Sequence, residues 1–314
     1  LCKADLCSEV VYEMPELQGT IGSIYAEIQG MPSEVVLSIN EHYSPLGPSD
    51  NCPTSSESSL LSLADKLDSL IGFIAIDMKA TGSKDPFGLR RSCLGIIRII
   101  LENKIRISIK NLGSDVYNSY ESQDIKLILS KEEAQKSYIE FIYDRLKVFM
   151  KDKGFNQLSI QAVYNVSDFS DILDDFNKIE ALDTFINGAA GKDFLNILKR
   201  VRRILNIEEK QIGVTIGIEV NPSLFETEEE KSLYNNQIKF SEEAKSLLKS
   251  EKYEKAMEVF SKISIYLESF FENVKVNVDD KRIKNNRLIL LSMIRNTFIN
   301  FADFSLIEVE NEAK

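Results

Sequence analysis

The chain has 314 residues, of which 43% are hydrophobic and 28% charged, with a formal net charge of −11 and a single histidine. That length holds two domains or one large one with ample core, and the composition is that of a globular protein. The acidic balance excludes a general nucleic-acid binder, so RNA contact has to come from local basic patches; no apolar run reaches the ~20 residues that span a bilayer.

Cys2, Cys7, Cys52 and Cys93 show neither CxxC spacing nor a nearby histidine pair, which argues against a zinc site and for reduced thiols. The polar, acidic N-terminal stretch lacks the pattern of a secretory signal, and a cytoplasmic location is expected. The chain starts at Leu1 rather than Met and opens directly into a motif, as a piece of a longer protein would.

Residues 3–14, 33–43 and 57–77 carry apolar side chains three and four apart and are predicted helices. Between them, 43–53 is a loop by its prolines, glycine and polar residues, and Ser55–Glu57 suits the start of the next helix. A loop over 78–83 leads to Asp85, a good N-cap, and Pro86, suited to the first helical position. Leu89, Leu94, Ile97, Ile100 and Leu101 continue with helical spacing to about Glu102. Lys84, Arg90, Arg91 and Arg98 ring the start and outer side of this helix, where side chains and exposed N–H groups can hold a phosphate backbone. Most basic helix starts are merely solvated, so the weight of this one depends on its surroundings.

The polar segment 111–123 suggests a boundary, giving domains over 1–112 and 113–314. An amphipathic helix follows over 131–153, with Tyr138, Phe141, Ile142, Leu146 and Phe149 on one face and Gly154 at its end. Helices are expected over 159–164, 168–188 and 192–206. The β-branched segment 212–220 has the composition of a short strand, with an extended loop the expectation in an otherwise helical region. Helices over 233–249, 253–271 and 287–301 complete an all-α, predominantly helical chain.

Within 192–206, Phe194, Leu198, Val201 and Leu205 share one face, while Lys199, Arg200, Arg202 and Arg203 fall outside it. Four cations in five positions stand out on so acidic a chain. Solvation is the ordinary fate of such a flank; RNA contact is the functional alternative.

Several of these segments resemble the β subunit of the bacterial two-subunit glycyl-tRNA synthetase. The resemblance runs through Lys3-Ala4-Asp5-Leu6, the stretch from Glu13 to Gly19 with Gly22 and Tyr25-Ala26, then Asn40-Glu41-His42-Tyr43, the stretch from Leu63 to Asp68, and Thr81 to Arg91. It resumes at Phe270-Phe271-Glu272-Asn273-Val274, Asn286-Arg287-Leu288 and Ala302-Asp303-Phe304-Ser305-Leu306. It implies the C-terminal half of a subunit about twice this length. It also implies an α subunit that binds glycine and ATP with magnesium and performs the chemistry, in a heterotetramer of two α and two β chains. The β chain would grip tRNA-Gly, with no membrane association, no catalytic residue and no cofactor of its own in this half.

The first portion further resembles the HD family of metal-dependent phosphohydrolases, in which a His-Asp pair, further histidines and a late Asp bind divalent metal. Asp5, His42 and Asp65 match, but Ala4 and Gln18 stand where histidines belong. The implied site is vestigial, and no metal is expected. Nor is there a Walker A ending, or a nucleophile–base pair beyond what His42 could serve.

The terminal portion resembles the helical anticodon-binding domain shared with arginyl-tRNA synthetases. Lys275, Lys281, Arg282, Lys284 and Arg287 become candidates for the anticodon stem and loop, and Phe271, Asn286 and Arg287 offer chemistry for splayed bases. Lys284 replaces an Arg of the family pattern, and Arg203 replaces an Asn. Pairing of Arg287 with Asp279 or Asp280 to fix the turn is an equal alternative. Two other classes stay open: an HD-type phosphohydrolase, and an assembly scaffold that does not touch RNA.

Overall fold

A computed structural model describes residues 2–78, 85–123 and 125–307. Among the described residues the regular structure is entirely helical. In order the helices are α1 (Glu9–Glu13), α2 (Thr20–Ile28), α3 (Ser33–Glu41), α4 (Ser56–Ala75), α5 (Leu89–Glu102), α6 (Ile109–Glu121) and α7 (Lys131–Asp152). There follow α8 (Gln157–Tyr164), α9 (Ile172–Asn187), α10 (Ala189–Ile212), α11 (Glu228–Lys249), α12 (Tyr253–Ser261), α13 (Ile263–Asn273) and α14 (Lys281–Arg295). They form two compact units, Leu1–Lys153 with Phe169–Asp174, and Gly154–Asp168 with Asp175–Lys314.

The helix starts follow the sequence closely because capping side chains set them. Ser55 accepts from the Ser58 N–H, as its position predicts, and Ser108 accepts from the Asn111 N–H. Full capping boxes open α7 (Ser130 with Glu133) and α11 (Thr227 with Glu230). Asp280 caps α14 by accepting from the Arg282 and Ile283 N–H groups.

In the first unit α4, α5 and α7 pack together through Leu67, Leu70, Ile71, Ile96, Ile97, Ile100, Ile142 and Leu146, all nearly inaccessible to water. The polar segment 111–123, which suggested a boundary, is mostly helix α6 and packs on α4 and α7. Its polarity misleads because few residues of α6, chiefly Ile109, Gly113 and Tyr117, face inward. Gly113 is needed there: a Cβ at that position would lie 2.2 Å from the Tyr138 ring. The ring crosses at that gap, and its hydroxyl donates to the Lys110 carbonyl at 3.0 Å.

The second unit has a phenylalanine core. Phe194 of α10 meets Phe260 of α12 at 5.8 Å and Phe304 at 6.0 Å, and Phe260 meets Phe298 at 4.9 Å. All are edge-to-face, the arrangement that the ring quadrupoles favour. The helix expected over 253–271 is two helices, α12 and α13, and the one expected to begin at residue 287 begins at Lys281. α10 runs on to Ile212 and stops at Gly213, whose φ of 71° is left-handed. Residues 214–220 are extended loop, with Ile216 buried and its carbonyl accepting from Ser292 Oγ.

Candidate nucleic-acid interface

At the N-terminus, Asp5 is buried and its Oδ2 accepts from the Gly19 N–H at 2.6 Å and the Gly22 N–H at 3.2 Å. The carboxylate therefore closes the positive end of α2, where a negative charge is stabilising. His42, fully buried, donates from Nδ1 to the Ile39 carbonyl at 2.7 Å, and its ring lies 3.8 Å from that of Tyr43. Burial lowers its pKa, so the imidazole is neutral. Asp65 holds the Lys3 ammonium at 2.5 Å. Asp5 Oδ1 and His42 Nε2 are buried without hydrogen-bond partners. Even so, no three His, Cys, Asp or Glu side chains among the described residues are arranged to hold a metal ion. Each of the three residues that match the HD pattern thus has a packing or pairing partner of its own, and the donor set does not fit a metal.

Of the basic residues around the start of α5, Lys84 lies outside the described residues, as do Thr81, Gly82 and Ser83. Asp85 does cap, accepting from the Leu89 and Arg90 N–H groups at 2.8 and 3.0 Å, but from further back than a simple N-cap. Pro86 lies in a turn closed by the Gly88 N–H on the Asp85 carbonyl, and α5 begins only at Leu89. The left-handed φ of 65° at Gly88 is what delays it. Arg91 is exposed and Arg90 half-buried. Arg98 is committed: it donates to the carbonyls of Gly47, Pro48 and Asp50 and to the Glu102 carboxylate.

On α10 the four cations divide. Phe194, Leu198, Val201 and Leu205 are buried as the periodicity demands, leaving Lys199, Arg200 and Arg203 exposed. The Arg200 guanidinium stacks 4.1 Å from the centroid of the Phe271 ring. Arg202 instead turns to the C-terminal segment, donating to the Phe304 and Ser305 carbonyls, and burial lowers its pKa.

On α14 the division is sharper. Lys281 and Arg282 are exposed, Arg282 paired with Asp280 at 3.2 Å. Lys275 is exposed, and Lys284 pairs with Glu208 at 2.8 Å. Asn286 is buried and exchanges two hydrogen bonds with the Asn221 backbone, accepting its N–H at 2.8 Å and donating to its carbonyl at 3.0 Å. Arg287 is only 4% exposed, and its partners are Glu230, Glu226 and the Lys275 carbonyl rather than Asp279 or Asp280. Asn286 and Arg287 are thus consumed by the fold. Glu226 and Glu230 escaped the sequence reading; the Thr227-x-x-Glu230 capping box is the one local signal that marks Glu230 as fixed.

The helical second unit, with cations left on its surface, matches a known class. Residues 197–310 match the family model described as the DALR anticodon binding domain. Residues 1–165 match the model described as glycyl-tRNA synthetase beta subunit. Two relatives, each named glycine–tRNA ligase beta subunit, align over 98% of this chain. The one from Dinoroseobacter shibae is 38% identical, with 46% of its own length covered. The one from Ruegeria sp. is 37% identical, with 43% covered. The chain spans about half the length of the curated relatives it matches. It belongs to the glycyl-tRNA synthetase beta subunit family.

Proposed function

We propose that this chain is the tRNA-gripping part of a glycine–tRNA ligase, and that its second unit binds the anticodon arm of tRNA-Gly. The observation that carries the reading is a group of exposed cations on α10 and α14 inside the segment that matches an anticodon-binding domain, among them Lys199, Arg200, Arg203, Lys281 and Arg282. Arg200 is held in place before RNA arrives, because its guanidinium sits over the Phe271 ring. Adenylation and transfer, using ATP and magnesium, belong on this reading to a separate α subunit, in a cytoplasmic assembly of two α and two β chains. This chain supplies positioning rather than chemistry.

The test is binding of the chain to tRNA-Gly and to an anticodon-substituted tRNA-Gly over a salt series. Preference for the native anticodon supports readout in the second unit. Equal, steeply salt-dependent binding means backbone contact only. Absence of binding, unrelieved by the α subunit, leaves an assembly scaffold. For the phosphohydrolase alternative to hold, Asp5, His42 and Asp65 would have to converge on a metal, and no three such side chains among the described residues are arranged to do so.

A further inference from the structure

The first unit carries a groove that the anticodon reading does not use. One face of α5, through Arg90, Arg91, Leu94, Arg98 and Glu102, opposes one face of α7, through Arg145, Val148, Phe149 and Asp152, with Lys153 just past its end. With Pro48 these residues enclose about 500 Å³. Five cations stand against two carboxylates, the reverse of the balance of a chain with net charge −11.

The parts of the groove have separate tasks. Arg98 is spent holding the 47–50 loop in place as part of the wall, through three carbonyls. Leu94, Val148 and Phe149 supply apolar lining, and the Lys153 ammonium sits 5.5 Å from the Phe149 ring centroid. Arg91 and Lys153 are exposed, and Arg145 is half-buried.

From this arrangement we infer that the α5–α7 groove binds the sugar–phosphate backbone of an RNA strand, at a part of the tRNA other than its anticodon. The inference rests on the proposed tRNA-binding function but concerns the other unit. Arginine forks match phosphate oxygens in two-pronged fashion, and an apolar lining accepts a ribose face or a base face. The exposure of Arg91 at the start of α5 and of Lys153 just past the end of α7 suits a chain that runs through better than an enclosed mononucleotide. The groove offers few uncharged donors and acceptors for reading base edges, so its contribution is affinity rather than sequence preference.

The experiment compares the intact chain with the triple variant Arg91→Gln, Arg145→Gln, Lys153→Gln. A control variant, Lys104→Gln, Lys110→Gln, Lys126→Gln, makes the same charge change on exposed residues outside the groove. Binding to tRNA-Gly, to anticodon-substituted tRNA-Gly and to poly-glutamate is measured from 50 to 200 mM salt, with circular dichroism to establish that each variant is folded. The groove variant should lose about tenfold or more in tRNA affinity, and its log–log salt slope should become shallower by about two. Its discrimination between the two tRNAs should stay unchanged, and the control should match the parent. A folded groove variant with the parent's affinity and slope overturns the inference while leaving the anticodon reading intact. An equal loss of poly-glutamate binding overturns the RNA assignment in favour of an acidic protein segment. Failure of the parent itself to bind tRNA overturns the underlying functional reading, and this inference with it.

Discussion

Arg287 Nε donates to Glu230 Oε1 at 2.7 Å, with the two side chains 4% and 1% exposed. This buried pair joins α14 to α11. The same guanidinium reaches Glu226 and the Lys275 carbonyl, and Glu230 also caps the start of α11. Burial alone would raise the Glu230 carboxyl. The Arg287 hydrogen bond, the Glu226 and Thr227 N–H groups and the Arg287 charge outweigh it and hold the group below its usual value. Removing one partner leaves a desolvated charge, so Arg287→Met should cost about 3–5 kcal/mol in urea unfolding. Because the folded pKa of Glu230 is depressed, its contribution is complete above the ordinary glutamate pKa and is lost as pH falls through the lower folded value. The acid limb of the stability profile should therefore flatten in Glu230→Gln.

His42 makes a second pH prediction in a different window. Burial depresses its pKa from 6.5, so folded imidazole is neutral where unfolded imidazole already takes a proton. The stabilisation is whole above about pH 6.5 and declines as pH falls towards the folded value. Thermal unfolding at pH 7.5 and pH 5.5 should show a larger loss for the parent than for His42→Asn. An equal loss in both would mean that His42 does not titrate in this range.

Adjacent cations on α10 should behave oppositely. Arg202 ties down the Phe304 and Ser305 carbonyls, so Arg202→Met should cost about 1–3 kcal/mol of stability. Exposed Arg203 should be neutral to within about 0.5 kcal/mol when changed to Gln, yet weaken tRNA binding. Paired denaturation and binding curves for the two variants read this contrast directly.

Gly191 sits where α10 leaves the end of α9. A Cβ there would lie 1.9 Å from the Phe185 carbonyl oxygen, and backbone cannot yield as a flexible side chain can. Gly191→Ala should cost about 1–3 kcal/mol or more. Gly217→Ala, where a Cβ meets nothing within 4 Å, should be tolerated; the two midpoints in urea decide.

The helices most legible in the sequence were those with both a capping residue and a sustained apolar stripe. α7 is the clearest case: Ser130 and Glu133 fix its start, Tyr138, Ile142 and Leu146 its buried face, and Gly154 lies just past its end. α6 was missed because its polar composition conceals a helix with a narrow inward face. α2 was missed because it is short and capped by Asp5, a residue far back in the chain. At the start of α5 the basic residues were legible, but the delay that Gly88 imposes was not.

The candidate interface divides in the same manner. Local sequence marked where positive charge concentrates, on α5, α10 and α14, because helical spacing alone separates a polar flank from an apolar stripe. It could not say which of those cations remain available, since their partners come from distant segments: Glu230 for Arg287, Glu208 for Lys284, the Phe304 and Ser305 carbonyls for Arg202. By itself the sequence determined the all-helical fold, the family and the positions of the basic flanks. Only tertiary structure decided which charges are consumed by the fold and which are left at the surface. Partner geometry and desolvation, the two quantities that make that choice, exist only once the helices have packed.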